Sequence, residues 1–235
     1  MRVFAGPNGS GKSTIFNQIS SKFDIGVYIN ADEIEIKLRT EGYLELNDYL
    51  INVNEKTFLN YLKNHTLLAK AKEEGLNIKL NLSENVIHAY SDKISSYEAA
   101  LISDIIRREL IKSGIKFTYE TVMSHQSKIE TFELANKNKY KTYLYFICTS
   151  SPQINLERVK SRVSLEGHYV PENKIIERYY KSLDLLKLAV SKTYRTYIWD
   201  NSGVHSKFIL EVFNGVEVRI GTNDVPEWVE KYLLK

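Results

Sequence analysis

Gly6-Pro7-Asn8-Gly9-Ser10-Gly11-Lys12-Ser13 matches the spacing G-x-x-x-x-G-K-[ST] at every position, and each residue type in it has a chemical use. Glycine lets the chain turn tightly and brings successive backbone N–H groups against phosphate oxygens as one anion nest. The helix expected from about Lys12 presents its N-terminal dipole and unpaired N–H groups to the same anion. Lys12 supplies a mobile positive charge for the β- and γ-phosphates of a nucleotide, and the Ser13 hydroxyl is a ligand for Mg²⁺. Gly6, Asn8, Gly9, Ser10, Gly11, Lys12, Ser13 and Thr14 are therefore the candidate nucleotide-binding residues.

Other residues have the chemistry of phosphoryl transfer. Asp32 follows the short run Val27-Tyr28-Ile29, where a carboxylate facing the phosphate loop could take the proton of an acceptor hydroxyl. The alternative is a capping or first-turn acid, since Asn30-Ala31-Asp32-Glu33 also reads as a helix start. Glu120 and Thr121 end the run Phe117–Thr121. An acid there orients a Mg²⁺-bound water or holds a substrate hydroxyl, unless it pairs with a neighbouring lysine. His125, on the loop that follows, is read as a substrate or backbone contact rather than a metal ligand. Arg158 and Arg162 are spaced i, i+4 and share one helix face. On a mobile lid, two guanidinium groups neutralise the charge that gathers on a moving phosphoryl group. Surface pairing with Glu157 or Glu166 is the alternative. The chain uses Lys 23 times and Arg nine times, so Arg at both positions favours bidentate phosphate recognition. Arg178 is a weaker third candidate, and His168 and Pro171 shape the turn between two helices.

These residues need elements to hold them. Arg2–Ala5 reads as a strand ending in the glycine turn, and Val27–Ile29 as a second. A helix is expected over Lys56–Glu74, then a half-buried strand in which Leu76, Ile78, Leu80 and Leu82 alternate with polar residues. Ser95-Ser96-Tyr97-Glu98 reads as a capping box opening a helix that ends at Gly114. Ile115–Thr121 is a strand, Ser127–Asn138 a helix, and Thr142–Thr149 a central strand rich in aromatic and β-branched residues. Helices over Asn155–Leu165 and Glu172–Ser191 precede a strand at Arg195–Trp199, a hairpin around Phe213–Ile220 and a short helix from Pro226. Alternating strands and helices predict an α/β fold, a P-loop NTPase three-layer sandwich with a mainly parallel five- or six-stranded sheet, its ligand site at the C-terminal strand ends, and a helical lid.

The whole chain narrows the functional classes. Its 235 residues suit a single domain, with an embellishment at most. A net charge of +3, from 32 basic and 29 acidic residues, argues against a protein that coats nucleic acid or membrane. One cysteine, Cys148, excludes a disulfide scaffold and a multi-cysteine metal site. No apolar run is long enough to span a bilayer, and MRVFAGPNGS lacks the apolar run of a signal peptide, so a cytoplasmic protein is expected. A GTPase would carry Asn-Lys-x-Asp, whereas Asn136-Lys137-Asn138-Lys139 ends in lysine. A transporter-type ATPase would carry Leu-Ser-Gly-Gly-Gln, which does not occur. Small kinases and phosphotransferases remain.

AGPNGSGKST at 5–14, INADEI at 29–34, FTYETVMSH at 117–125, LERVKSRVSLEGHYVPENKIIERYYKSL at 156–183 and YIWDNS at 197–202 together resemble the zeta-toxin-like P-loop kinases, relatives of the chloramphenicol phosphotransferases. The resemblance implies an ATP- and Mg²⁺-dependent enzyme that phosphorylates a hydroxyl of UDP-N-acetylglucosamine or another small hydroxyl-bearing substrate, with an antitoxin protein as a possible partner. It implies Asp32 as catalytic base, Lys12 and Ser13 on the phosphates and Mg²⁺, Glu120, Thr121 and His125 near the acceptor, Arg158 and Arg162 on a lid at 150–183, and Asn201 near the adenine. Two departures stand out. Glu166-Gly167-His168 replaces the family's Gly-Gly-His, and 41–94 is longer than in short members, at a place where the acceptor is selected. Two other readings stay open: a polynucleotide 5′-kinase, and a non-catalytic ATP-binding regulatory module.

Overall fold

The computed structural model describes residues 1–63, 65–91, 93–163 and 170–235, without the Val163 side chain. In chain order its elements begin with β1 (Arg2–Ala5), α1 (Lys12–Ser20), β2 (Val27–Ile29), α2 (Ala31–Glu41) and β3 (Tyr43–Glu45). There follow α3 (Glu55–Lys63), α4 (Thr66–Glu73), β4 (Leu80–Ser83), β5 (Val86–Ala89) and α5 (Ser96–Lys112). The remainder comprises β6 (Phe117–Thr121), α6 (Ser127–Lys137), β7 (Tyr143–Cys148), α7 (Pro152–Val163), α8 (Glu172–Asp184), α9 (Leu186–Ser191), β8 (Arg195–Asp200), β9 (Lys207–Phe213) and β10 (Glu217–Ile220). A short helix from Glu227 closes the chain. The chain divides into two compact units, Met1–Ile25 with Thr118–Lys235, and Gly26–Phe117.

In the first unit the strands lie in the order β10-β9-β8-β7-β1-β6. Strands β6, β1, β7 and β8 are parallel, whereas β9 and β10 run antiparallel at one edge. Side chains of a strand alternate between faces, and in the central strands β1 and β7 both faces are buried. On one face Phe4, Tyr145 and Ile147 pack with Ile15 of α1, the Phe4 and Tyr145 rings stacked at 4.6 Å. On the other face Phe146 meets Trp228 of the C-terminal segment at 6.1 Å. Helical cover on both faces makes this the expected α/β P-loop architecture, with the parallel strands' C-terminal ends along one rim.

The second unit packs α2 and α5 beside a three-stranded antiparallel sheet ordered β3-β5-β4. Helix α5 starts with the expected capping box, in which Tyr97 N donates to Ser95 Oγ at 3.2 Å and Ser95 N to Glu98 Oε2 at 3.0 Å. Ile102, Ile105, Ile106 and Leu110 are fully buried along it. This unit contains 41–94 and reaches beyond it on both sides.

Several boundaries differ from expectation. The helix expected over Lys56–Glu74 is two helices, because His65 leaves helical geometry and its Nδ1 accepts from Leu67 N at 3.2 Å, starting α4 afresh. The strand expected from Leu76 begins at Leu80, where its partner β5 is in register; a strand without a partner has no ladder to join. The helix expected over Glu172–Ser191 breaks at Leu185 into α8 and α9. The tail hairpin starts earlier, since β9 runs from Lys207 along β8. Glu166, Gly167 and His168, and with them part of the expected lid at 150–183, lie outside the described residues.

Candidate active site

Strand β1 sits between β6 and β7 and ends at the glycine loop, so the sheet aims that loop at its own C-terminal rim. Gly6 N donates to Thr121 O at 3.2 Å as the chain leaves the sheet. Two glycines are there of steric necessity. Gly6 has φ +144, and a Cβ on it would lie 1.9 Å from Ile147 O; Gly11, at φ +89, would place one 2.1 Å from Asn201 Nδ2. Gly11 is also the N-cap residue of α1, so the first N–H groups of that helix open toward the loop.

Inside the loop, Lys12 Nζ donates to Gly6 O at 3.0 Å and to Pro7 O at 3.1 Å. Its ammonium is thereby held against the loop backbone. Ser13 Oγ donates to Glu120 Oε2 at 3.3 Å, which brings together residues from α1 and the end of β6. A hydroxyl and a carboxylate are hard oxygen donors of the kind Mg²⁺ takes. No cluster of three or more His, Cys, Asp and Glu fit for a metal occurs among the described residues. A metal held by one or two protein oxygens and by nucleotide phosphates is the Mg²⁺ pattern, so Ser13 and Glu120 fit that ion.

The loop is clamped from outside by two asparagines. Asn155 of α7 is fully buried; its Nδ2 donates to Asn8 O at 2.7 Å, and its Oδ1 accepts from Thr149 Oγ1. Asn201, just after β8, donates from Nδ2 to Ser10 O at 2.9 Å and from its backbone N to Cys148 O at 2.8 Å. Arg158 in turn donates to Asn201 O at 2.7 Å and to Gly203 O at 3.2 Å. Beside these groups is an open cavity of about 520 Å³ lined by Gly11, Thr14, Gln18, Arg158, Trp199 and Asn201 and by residues 203–206. Its volume is in the range of small-molecule sites.

The structure thus gathers Lys12, Ser13, Thr14, Glu120, Arg158 and Asn201 of the expected residues. Arg158 braces the loop after β8 and lines the cavity; Arg162, one turn further on α7, is exposed. Thr121 anchors the glycine loop by its carbonyl and accepts from Met123 N at its own hydroxyl, 3.2 Å. His125 accepts from Ser127 N, the first residue of α6, at 3.2 Å. Asp32 lies in the second unit, exposed in the first turn of α2, its N–H bonded to Asn30 Oδ1 at 3.0 Å. Cys148 is fully buried, and that burial pushes its thiol up to about 12, so it stays protonated and is no nucleophile.

Asn155, Gln18, Trp199 and the 203–206 loop were not legible beforehand. Asn155 follows Pro152 in a helix start whose only local signal is its polarity, and Trp199 reads as one more apolar strand residue. Their placement depends on which strands neighbour β7.

No protein-family model matches the chain. It is similar in structure to a chain of the complex AvrRxo1-ORF1:AvrRxo1-ORF2 crystallised with ATP, at a TM-score of 0.56 and 15% identity, over 98% of this chain and 62% of that one. The same complex crystallised with sulphate ions gives a TM-score of 0.56 at 14% identity and the same coverage. At such identities the likeness is one of fold. In sequence, 69 residues are 35% identical to an uncharacterized protein of Haemophilus influenzae strain Rd, over 29% of this chain and 49% of that protein. The chain therefore spans less than two thirds of these structural neighbours and matches about half of the Haemophilus protein. Among the described residues no helix is long and apolar enough to cross a membrane.

Proposed function

We propose that the chain is a zeta-toxin-like kinase that transfers the γ-phosphoryl group of ATP to a sugar hydroxyl, with UDP-N-acetylglucosamine as acceptor. The observation that carries the reading is the Ser13–Glu120 pair at the phosphate loop, 3.3 Å apart, in a segment whose Gly11 and Thr14 line a cavity of about 520 Å³. The ATP-bound crystal of a neighbour with this fold supports the choice of nucleotide.

In this reading the loop amides and Lys12 bind the β- and γ-phosphates, and Thr14, Asn201 and Arg158 border the nucleoside. Ser13 and Glu120 would hold Mg²⁺, which would supply neutralisation of the charge on the transferred group. Asp32 accepts the acceptor proton, an assignment that rests on its place directly after β2 and on the motif INADEI. Glu120, Thr121 and His125 are assigned to the acceptor side, and Arg162 joins Arg158 in stabilising the charge of transfer. Both compact units are read as one kinase domain, in which 41–94 selects the acceptor. The neighbour's crystallisation as a two-protein complex supports an antitoxin-like protein partner, and a cytoplasmic location is part of the same reading.

Incubation with ATP, Mg²⁺ and a panel of nucleotide sugars, read by mass spectrometry, tests this. One phosphate added to UDP-N-acetylglucosamine is expected, and the Asp32→Ala variant should lose turnover while keeping ATP affinity within a few-fold. Phosphate on an oligonucleotide 5′ end would replace the reading with a polynucleotide kinase. ATP binding with no acceptor modified would replace it with a regulatory module.

A further inference from the structure

Strand β10 is the outermost strand of its sheet, and its exposed apolar side chains continue a core face. Val218 stands opposite Val212 and Ile220 opposite Leu210. Val212 and Leu210 are buried, whereas Val218 is 44% exposed, Ile220 60% and the preceding Val216 79%. Among the described residues no strand follows β10 on its open side.

The hydrogen-bond parity of that open side is readable. Gly221 N donates to Ile209 O at 2.7 Å, so in the antiparallel ladder Arg219 with Glu211 and Glu217 with Phe213 are also mutually bonded pairs. Val218 and Ile220, one residue out of phase, direct their N–H and C=O groups away from β9. An added strand must therefore bond to Val218 and Ile220.

A second copy of the same strand satisfies this requirement in a few two-fold arrangements. With the axis through Glu217, that carboxylate would face its own copy; with the axis through Arg219, two guanidinium groups would meet. Like charges directly opposite destabilise an antiparallel pair. With the axis through Val218, Val218 bonds mutually to its copy, Val216 faces Ile220, and Glu217 faces Arg219 on both sides of the axis. Arg219 remains 73% exposed at its side chain although it lies 3.5 Å from Glu211, so it can reach a partner. Charges on an edge strand usually repel a foreign strand; here they complement an identical one.

We propose that this chain self-associates through antiparallel β10–β10 pairing about a two-fold axis at Val218. The interface is isologous, and its short length makes the association concentration-dependent. The catalytic assignment plays no part in this inference.

Sedimentation equilibrium of the full chain over a wide concentration range tests it. A monomer–dimer equilibrium is expected for the wild type. Arg219→Glu sets carboxylates opposite each other and should abolish the dimer, and Glu217→Arg/Arg219→Glu should restore it. Val218→Pro removes the central N–H donor and should also abolish the dimer, with thermal unfolding used to confirm that each variant is folded. A wild type that is monomeric throughout overturns the proposal, as does a dimer indifferent to Arg219→Glu or one not recovered by the double reversal.

Discussion

The Asn201 side chain holds the phosphate loop by the Ser10 carbonyl, 2.9 Å away, although the two residues are 191 apart in sequence. Arg158 completes the brace, since it binds the Asn201 carbonyl at 2.7 Å. The loop is therefore positioned by the rim that follows β8 as well as by β1, which gives Arg158 a positioning role that can be measured.

Arg158→Ala removes two hydrogen bonds to the 201–203 loop and should weaken ATP binding about tenfold, the scale of a charged hydrogen bond to the backbone. Arg158→Lys should restore little, because one ammonium does not reproduce a planar guanidinium on two carbonyls. Isothermal titration with ATP decides the matter.

Glu120→Gln keeps the side chain's shape and its hydrogen bond with Ser13 but removes the charge. Turnover should fall by roughly 10²-fold or more, as for loss of a preorganised electrostatic group, and the Mg²⁺ concentration for half-maximal rate should rise. ATP binding without Mg²⁺ should be unchanged.

Asn155→Ala leaves the Asn8 carbonyl without its buried donor and the Thr149 hydroxyl with the Ser151 carbonyl, 3.0 Å away. The expected cost is about 1–3 kcal/mol for unsatisfied buried groups, read as a lower urea midpoint at unchanged m-value. Loss of stability without loss of ATP affinity would show that Asn155 does not order the phosphate loop.

Asp104 gives the second unit its own pH dependence. Burial alone would raise its carboxyl, but the hydrogen bond from His65 and the charges of Arg107 and Arg108 more than offset this and hold it well below the usual range. The contacts are 3.3, 3.0 and 2.6 Å. For a depressed carboxyl the stabilisation is fully present above its unfolded pKa of about 4 and is lost as pH falls toward the folded value. Asp104→Asn should therefore lower stability at neutral pH, by about 2 kcal/mol once the partial exposure of Arg108 is discounted. The gap between variant and wild type should narrow below about pH 4 in acid unfolding followed by circular dichroism.

What could be read ahead of the structure was local. The glycine loop is legible because every part of a phosphate nest lies within eight consecutive residues, and the α5 start because a capping box spans four. The break between α3 and α4 was hidden, since no glycine or proline marks the polar run at 63–66 and α4 is begun by the His65 ring accepting from Leu67 N. Likewise β9 looked like tail sequence until β8 supplied the ladder that makes it a sheet strand.

By itself, the sequence determined that a strand would end in a phosphate loop opening a helix, and that the fold would alternate strand and helix around a largely parallel sheet. Both follow from residue type and spacing, which act over a turn or two of chain. Only the tertiary structure decided that Glu120 stands at Ser13, that Asn155 and Asn201 grip the loop, and that Arg158 reaches a backbone carbonyl 43 positions away. Those contacts join distant parts of the chain, and they exist because β1 is hydrogen-bonded between β6 and β7, and β7 to β8, an order set by packing rather than by any local pattern.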